Sequence, residues 1–425
     1  MALVLGTALF ALAILVSVCL HEAGHMGTAK AFGMKVSRYF VGFGPTLWSV
    51  KKGETEYGVK GIPLGGFVKI VGMTPQDDDV DPADEPRAMW RFPVWKRTVV
   101  LLAGSVAHFV LGFVILWALF AFVALPDEEK LTTQRAPIQT VSDCIAPEWK
   151  YDAATGRLVD CDPNKPPASP AKQAGLRPGD TITAIDGREV ASWTATTDII
   201  RASAGKTLQL TVLRDGTTSV VPITVATTER VKQSVVESDK SASEITDADL
   251  ETVGVLGVTA DVPTTTAGPI AALGKATSTT GMMFDRTLAA LKSFPEKIPK
   301  LWAALTGAPR DPDTPISVVG ASRIGGELVD LGEWPSFFVL LAGLNFFVGV
   351  FNLLPILPLD GGHIAIAWFE RVRSWIYARL GRPDPGRVDY YKLMPLTYAI
   401  IFIFGGFTLL TVAADIVNPI TLFSR

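Results

Sequence analysis

The chain has 425 residues, of which 48% are apolar and only 19% charged, and its mean hydropathy is +0.31. That length allows two or three domains, and that composition excludes an ordinary soluble protein and predicts membrane spans. A net charge of −3 without a basic stripe excludes nucleic-acid binding.

Four long uncharged stretches lie at 3–20, 99–125, 337–359 and 393–414. A span needs roughly 20 apolar residues to cross about 30 Å of hydrocarbon, so about four transmembrane helices are expected. In chain order the sequence divides into a first span (1–32), a loop with strand-like pieces (33–94), a second span (95–126) and a soluble domain (127–262). An amphipathic linker (263–334), a third span (335–368), a short basic loop (369–391), a fourth span (392–417) and a tail (418–425) complete it. A signal peptide is the alternative for the first stretch, but the chain opens Met-Ala-Leu-Val-Leu without a basic n-region. Positive charge near span ends sets orientation. Lys35, Arg38, Lys51, Lys52 and Lys60 in the first loop, and Arg371, Arg373, Arg379 and Arg382 in the second, place both loops in the cytoplasm. Both termini and the 126–334 segment then lie outside.

The loop after the first span reads "VGFGPTLW" and then "GIPLGGFVKIVGM", too apolar and glycine-rich for a plain cytoplasmic loop. A hairpin or sheet dipping toward the membrane fits it, since non-helical backbone at that depth must be buried in protein or line a cavity. A soluble hairpin is the alternative. The acidic, proline-punctuated stretch 77–85 reads as a surface loop.

The soluble segment centres on "SPAKQAGLRPGDTITAIDGREVASW", which resembles a bacterial PDZ domain. "KTLQLTVLRDGTTSVVPITV" supplies two alternating strands around an Asp-Gly turn. Cys144 and Cys161 fall in a loop-like insertion, where an oxidising compartment lets them pair; two independent thiols are the alternative. Residues 228–250 are polar and read as a loop, and 270–305 as an amphipathic helix, with core packing as its rival.

The chemistry begins at "HEAGH". His21 and His25, four apart, share one helical face and can grip one metal ion, for which two imidazoles suit Zn²⁺. Glu22 beside them can take a proton from water. A catalytic zinc site needs a third protein ligand. Only His108 and His363 remain among the histidines, and neither has the spacing of a third metzincin ligand. In "NLLPILPLDGGH", Asp360 is a lone carboxylate closing an uncharged run, costly at membrane depth and a candidate for function. Pro355, Pro358, Gly361 and Gly362 disfavour regular helix there and can turn Asp360 toward another helix. Asn352 can hydrogen-bond within the same cavity.

These motifs resemble the site-2 protease family of intramembrane zinc metalloproteases. More narrowly, the chain is similar to bacterial regulators of sigma-factor signalling that carry a PDZ domain. The resemblance rests on His21-Glu22-x-x-His25, "VGFGPTLW", "TEYGVKGIPLGGFVKIVGM", the PDZ-like core, "PISVVGASRIG" and Asn352-Leu-Leu-Pro355-Ile-Leu-Pro358-Leu-Asp360-Gly361. It implies an α-helical polytopic membrane protein with a membrane-associated β-sheet and one extracytoplasmic α+β PDZ domain, in a bacterial plasma membrane. It implies one catalytic Zn²⁺ held by His21, His25 and Asp360, with Glu22 as general base and Asn352 holding substrate backbone. Ile62, Pro63, Leu64, Gly65, Gly66 and Phe67 would pair with an unwound substrate strand.

The implied substrates are single-span proteins of the anti-sigma-factor type, cut first outside the membrane by a site-1 protease and then within the lipid bilayer. Two features depart from the family pattern. One PDZ domain is found where many members have two, and His108 in "LLAGSVAHFV" stands where a small amide is usual. His108 reads as a packed polar residue, with a supporting partner or extra metal contact as alternatives; His363 reads as cavity lining. An inactive PDZ scaffold and a metal transporter are the rival functions. An intact Glu22 argues against both.

Overall fold

The computed structural model describes residues 1–73, 80–145, 168–232, 235, 245–308, 310 and 314–420. The chain forms two compact units, one of them interrupted by the other.

The first unit opens with α1 (Ala2–Ala31), whose thirty residues span about 45 Å at 1.5 Å each. It is followed by β1 (Val36–Lys52) and β2 (Thr55–Ile70), which pair antiparallel with an irregular register. Tyr39 lies opposite both Tyr57 and Val68, Phe40 opposite both Gly58 and Phe67, and Val41 opposite both Val59 and Gly66. The first part of β1 is thus flanked on both sides by β2, which doubles around it. The sheet anticipated in the 33–94 loop is present, with Val36, Phe40 and Ile70 buried and Leu47, Trp48, Ile62 and Leu64 exposed. Residues 77–79 of the acidic loop lie outside the described residues, while Asp84 and Glu85 pair with Lys35 and Arg91. Then comes α2 (Val94–Phe122).

The second unit is built mainly from residues 123–267. It contains β3 (Leu125–Pro126), α3 (Glu129–Thr133), β4 (Ile138–Val141), α4 (Pro170–Gln173), β5 (Thr181–Ile185), β6 (Arg188–Glu189) and α5 (Trp193–Arg201). Strands β7 (Thr207–Arg214), β8 (Thr217–Thr224), β9 (Ala226–Val231), β10 (Leu250–Val255), β11 (Val258–Ala260) and β12 (Thr264–Thr265) follow. The main sheet runs β6-β5-β7-β8. Alternation in β7 buries Leu208, Leu210 and Val212 against Ile138, Ile182, Ile200 and Val225. The β7–β8 turn places Asp215 and Gly216 at φ 46° and 78°, the left-handed pair a tight hairpin requires.

The loop read at 228–250 is shorter than expected, because β9 reaches Val231 and pairs with β10, Glu229 opposite Thr252. Polar side chains there face solvent while the backbone is paired. A cleft of about 780 Å³ is lined by Trp193, Thr197 and Ile200 of α5 and by residues 253–260. At the foot of the sheet Asp180, 1% exposed, accepts two 2.6 Å bonds from the Arg214 guanidinium and a 2.8 Å bond from the Arg177 amide. Arg214 and that amide hold its carboxyl below the usual aspartate range. Cys161, and with it the expected pairing to Cys144, lies outside the described residues.

The first unit resumes with α6 (Gly268–Leu305), which packs Phe284 against Phe109 and Phe346 and buries Ala272, Ala276 and Leu301 while leaving Ile270, Leu288 and Trp302 exposed. Helix α7 (Val318–Asp330) is N-capped by the Ser317 hydroxyl, which accepts from Val319 and Gly320. It lies on α1, with Gly325 against the Phe10 ring and Gly326 against Thr7 and the Leu3 carbonyl. Then follow α8 (Trp334–Asn352), α9 (Asp360–Arg379) and α10 (Met394–Val417). Among the described residues, four helices, α1, α2, α8 and α10, are long and apolar enough to cross a membrane. The third expected span, 335–368, is divided: α8 stops at Asn352, a proline-rich turn intervenes, and Asp360 begins α9. Pro355 and Pro358 remove amide donors and so prevent one continuous helix.

Candidate metal centre

Helix α1 carries no charged residue before His21, and His21, Glu22 and His25 follow that run. One turn of spacing brings the two imidazoles together with Nε2 atoms 3.1 Å apart. The turn before α9 delivers Asp360, whose Oδ2 lies 3.3 Å from His21 Nε2 and 3.4 Å from His25 Nε2. Among the described residues, these three form the cluster able to hold a metal ion.

The geometry tests whether an ion fits. Ligands about 2.0–2.1 Å from a tetrahedral zinc lie roughly 3.3–3.4 Å from one another, and the three donor separations here match that edge length closely. His25 donates from Nδ1 to the Val100 carbonyl at 2.7 Å. A carbonyl only accepts, so the proton sits on Nδ1 and the Nε2 lone pair faces His21 and Asp360. Two imidazoles and one carboxylate, with a fourth position left to water or substrate, suit zinc.

Two supports come from α2 and were not anticipated. One is the Val100 carbonyl. The other is Gly104, where a Cβ would collide with both ligand rings, at His25 Nε2 and His21 Cε1. Only glycine lets α2 pass this close. The Ala-Gly-Ser run in "LLAGSVAHFV" marks a thin stretch of α2 but not what it passes.

Glu22 stands beside the ligands, and its Oε2 accepts a 3.0 Å bond from the Val68 amide on β2. A Cβ on Gly66 would lie 3.6 Å from Glu22 Cγ, so the Gly66–Val68 run passes directly along the carboxylate. Gly65, at φ 133°, turns the strand into this position. Phe67 stacks on Phe40, while Ile62, Pro63 and Leu64 are exposed further along. Of the residues expected to contact substrate, Gly65, Gly66 and Phe67 are therefore near the centre, and the other three extend from it.

Asn352 closes α8 and is half-buried, outside the ligand cluster and without a side-chain hydrogen bond among the described residues. His108 is 2% exposed, with Nδ1 2.8 Å from Asn345 Oδ1 and its ring 5.0 Å from that of His21. Asn345 in turn donates to the Leu341 carbonyl at 2.8 Å. His108 is thus tied through Asn345 to the α8 backbone while its ring lies beside His21. His363 stacks on Tyr390, ring centres 5.9 Å apart, and is not in the cluster.

Comparison with known proteins bears on what such a centre does. The profile described as "Peptidase family M50" matches residues 9–380. The chain is 42% identical to the zinc metalloprotease Rip1 of Mycolicibacterium smegmatis, covering 99% of both chains. It is 43% identical to the zinc metalloproteases Rip1 of Mycobacterium tuberculosis and Mycobacterium bovis, covering all of each. The chain belongs to peptidase family M50. Membership and the His21–His25–Asp360 donor set together make this M50 peptidase a zinc metalloprotease. Its four apolar helices make it a multi-pass membrane protein.

Proposed function

We propose that this M50 peptidase hydrolyses peptide bonds inside the membrane, within the span of single-span proteins. The observation carrying this reading is that two of its three ligand candidates and Glu22 lie on α1, itself a candidate span, with the third on the turn after α8. Zinc, when bound, supplies Lewis acidity that makes water a usable nucleophile near neutral pH. Glu22 accepts the proton of the attacking water and returns it to the leaving amide nitrogen. His25, oriented through Val100, keeps its lone pair directed at the centre.

A helical substrate hides its amides in hydrogen bonds and must unwind before attack. The Gly65–Phe67 edge of β2, with Ile62, Pro63 and Leu64 leading to it, would hold the released backbone by strand addition. Asn352 would bind backbone from the far side. Spans containing helix-weakening residues are then cut in preference to polyleucine.

The second unit is read as a PDZ-type domain. Its α5 cleft has the form that takes an extended chain end beside a strand. In this scheme the PDZ domain and both termini lie outside the bacterial plasma membrane, and a site-1 protease first trims an anti-sigma-factor type of substrate. The PDZ domain admits the stub, and the second cut releases a cytoplasmic fragment.

Quantitative membrane proteomics on cells carrying the native chain or Glu22→Ala tests this. Externally trimmed single-span stubs that accumulate only in the variant support it. No accumulation, where the first cut demonstrably occurs, replaces it with a scaffold.

A further inference from the structure

The second half of α9 is unlike the rest of the membrane unit. It is too charged to be a span, yet it exposes an apolar stripe of Trp368, Phe369, Val372, Trp375, Ile376 and Leu380, each 43–62% exposed. At 100° per residue these fall within one arc of the helix, with Arg371 and Arg373 on its two borders and Arg379 inside it at the C-terminal end.

The nearby acids are already engaged. Glu370 pairs with Arg97 at 3.3 Å and accepts from the Val388 amide at 2.9 Å. Asp384 accepts from Ser374 and the Gly386 amide, each at 2.9 Å. Asp389 accepts from the Tyr391 amide at 3.0 Å. Arg371, Arg379 and Arg382 have no acidic partner among the described residues. The helix is fixed rather than loose, since Trp368 Nε1 donates to Thr98 on α2 at 3.0 Å.

Cations also sit over aromatic faces around this level. Arg379 lies 5.2 Å from the Trp375 ring centre, Lys96 5.6 Å from that of Trp95 and Arg387 4.4 Å from that of Trp90. Tryptophans with apolar rings and a polar edge collect at membrane–water boundaries, and basic side chains there meet anionic headgroups.

We infer that the second half of α9 lies in the membrane interface and binds anionic lipid, its stripe among acyl chains and Arg371, Arg379 and Arg382 on phosphate groups. The partner is the leaflet itself: the segment joins two span candidates, α8 and α10, and its surplus charge is complementary to acidic lipid. Because α9 begins at Asp360, this anchor sets the depth of the third ligand candidate from the far end of the same rigid helix.

The test uses the full chain in vesicles containing phosphatidylglycerol or phosphatidylcholine brominated near the headgroup. The tryptophan quenching lost in Trp375→Phe reports this face. Quenching should favour phosphatidylglycerol. The preference should fall about fivefold for each cation removed, reaching parity in Arg371→Gln/Arg379→Gln/Arg382→Gln. The matching triple lysine variant should retain it. Equal quenching by both lipids in the native chain, a preference that survives the glutamine substitutions, or no quenching by either lipid because protein covers the face, would each overturn the inference.

Discussion

Two aspartates with little solvent exposure make opposite use of their surroundings. Asp180 is saturated: a guanidinium grips both oxygens and an amide adds a third bond. Its countercharge comes from its own chain. Asp360 faces two imidazole Nε2 atoms at 3.3 and 3.4 Å, one of them unable to donate because its ring proton is engaged on the other side. Lone pairs directed at one point repel one another unless a cation stands there. The first arrangement is complete within the fold, and the second has the donors to hold an ion.

Removing each carboxylate should therefore damage different things. Asp360→Ala should reduce bound zinc far below one per chain and cleavage of a model span to background, by elemental analysis and a gel assay. An unaltered zinc content would break the contrast. Glu22→Ala should slow cleavage about 10²–10⁴-fold while zinc content holds, separating the proton carrier from the ligands. Asp180→Ala should leave zinc in place and destabilise the second unit by about 1–3 kcal/mol, read by hydrogen exchange of β5 and β7. His108→Asn should change zinc content least of all, since His108 bonds to Asn345 and not to the cluster.

Acid should sharpen the same contrast. Asp180 is held below the ordinary aspartate value of 3.8, so its contribution to stability is complete above that value. It is lost as pH falls below 3.8 toward the lowered value in the folded protein. Chemical denaturation of the native chain at descending pH should show this acid loss in the second unit, and Asp180→Ala should flatten it.

Parts of this architecture are legible in the chain. His21 and His25 announce themselves because i and i+4 share a helical face, and Asp360 because a charge ends an apolar run. The β7–β8 hairpin is written in Asp215-Gly216. What α2 contributes is not legible. Gly104 matters through the side chain it lacks, Val100 through a backbone oxygen every residue has, and Asn345 through its place opposite His108 on another helix. The doubled pairing of β1 also escapes a pattern argument, since strand alternation identifies faces and not which neighbour lies on each edge.

The wide separation of the ligand candidates along the chain has a consequence for the newly made protein. His21 and His25 leave the ribosome well ahead of Asp360. At roughly 5–20 residues per second, tens of seconds pass between them. Throughout that interval the nascent chain holds only part of its three-donor cluster, and a product truncated before α9 never acquires the rest. The order of synthesis thus leaves the three-donor cluster incomplete until α9 has been made.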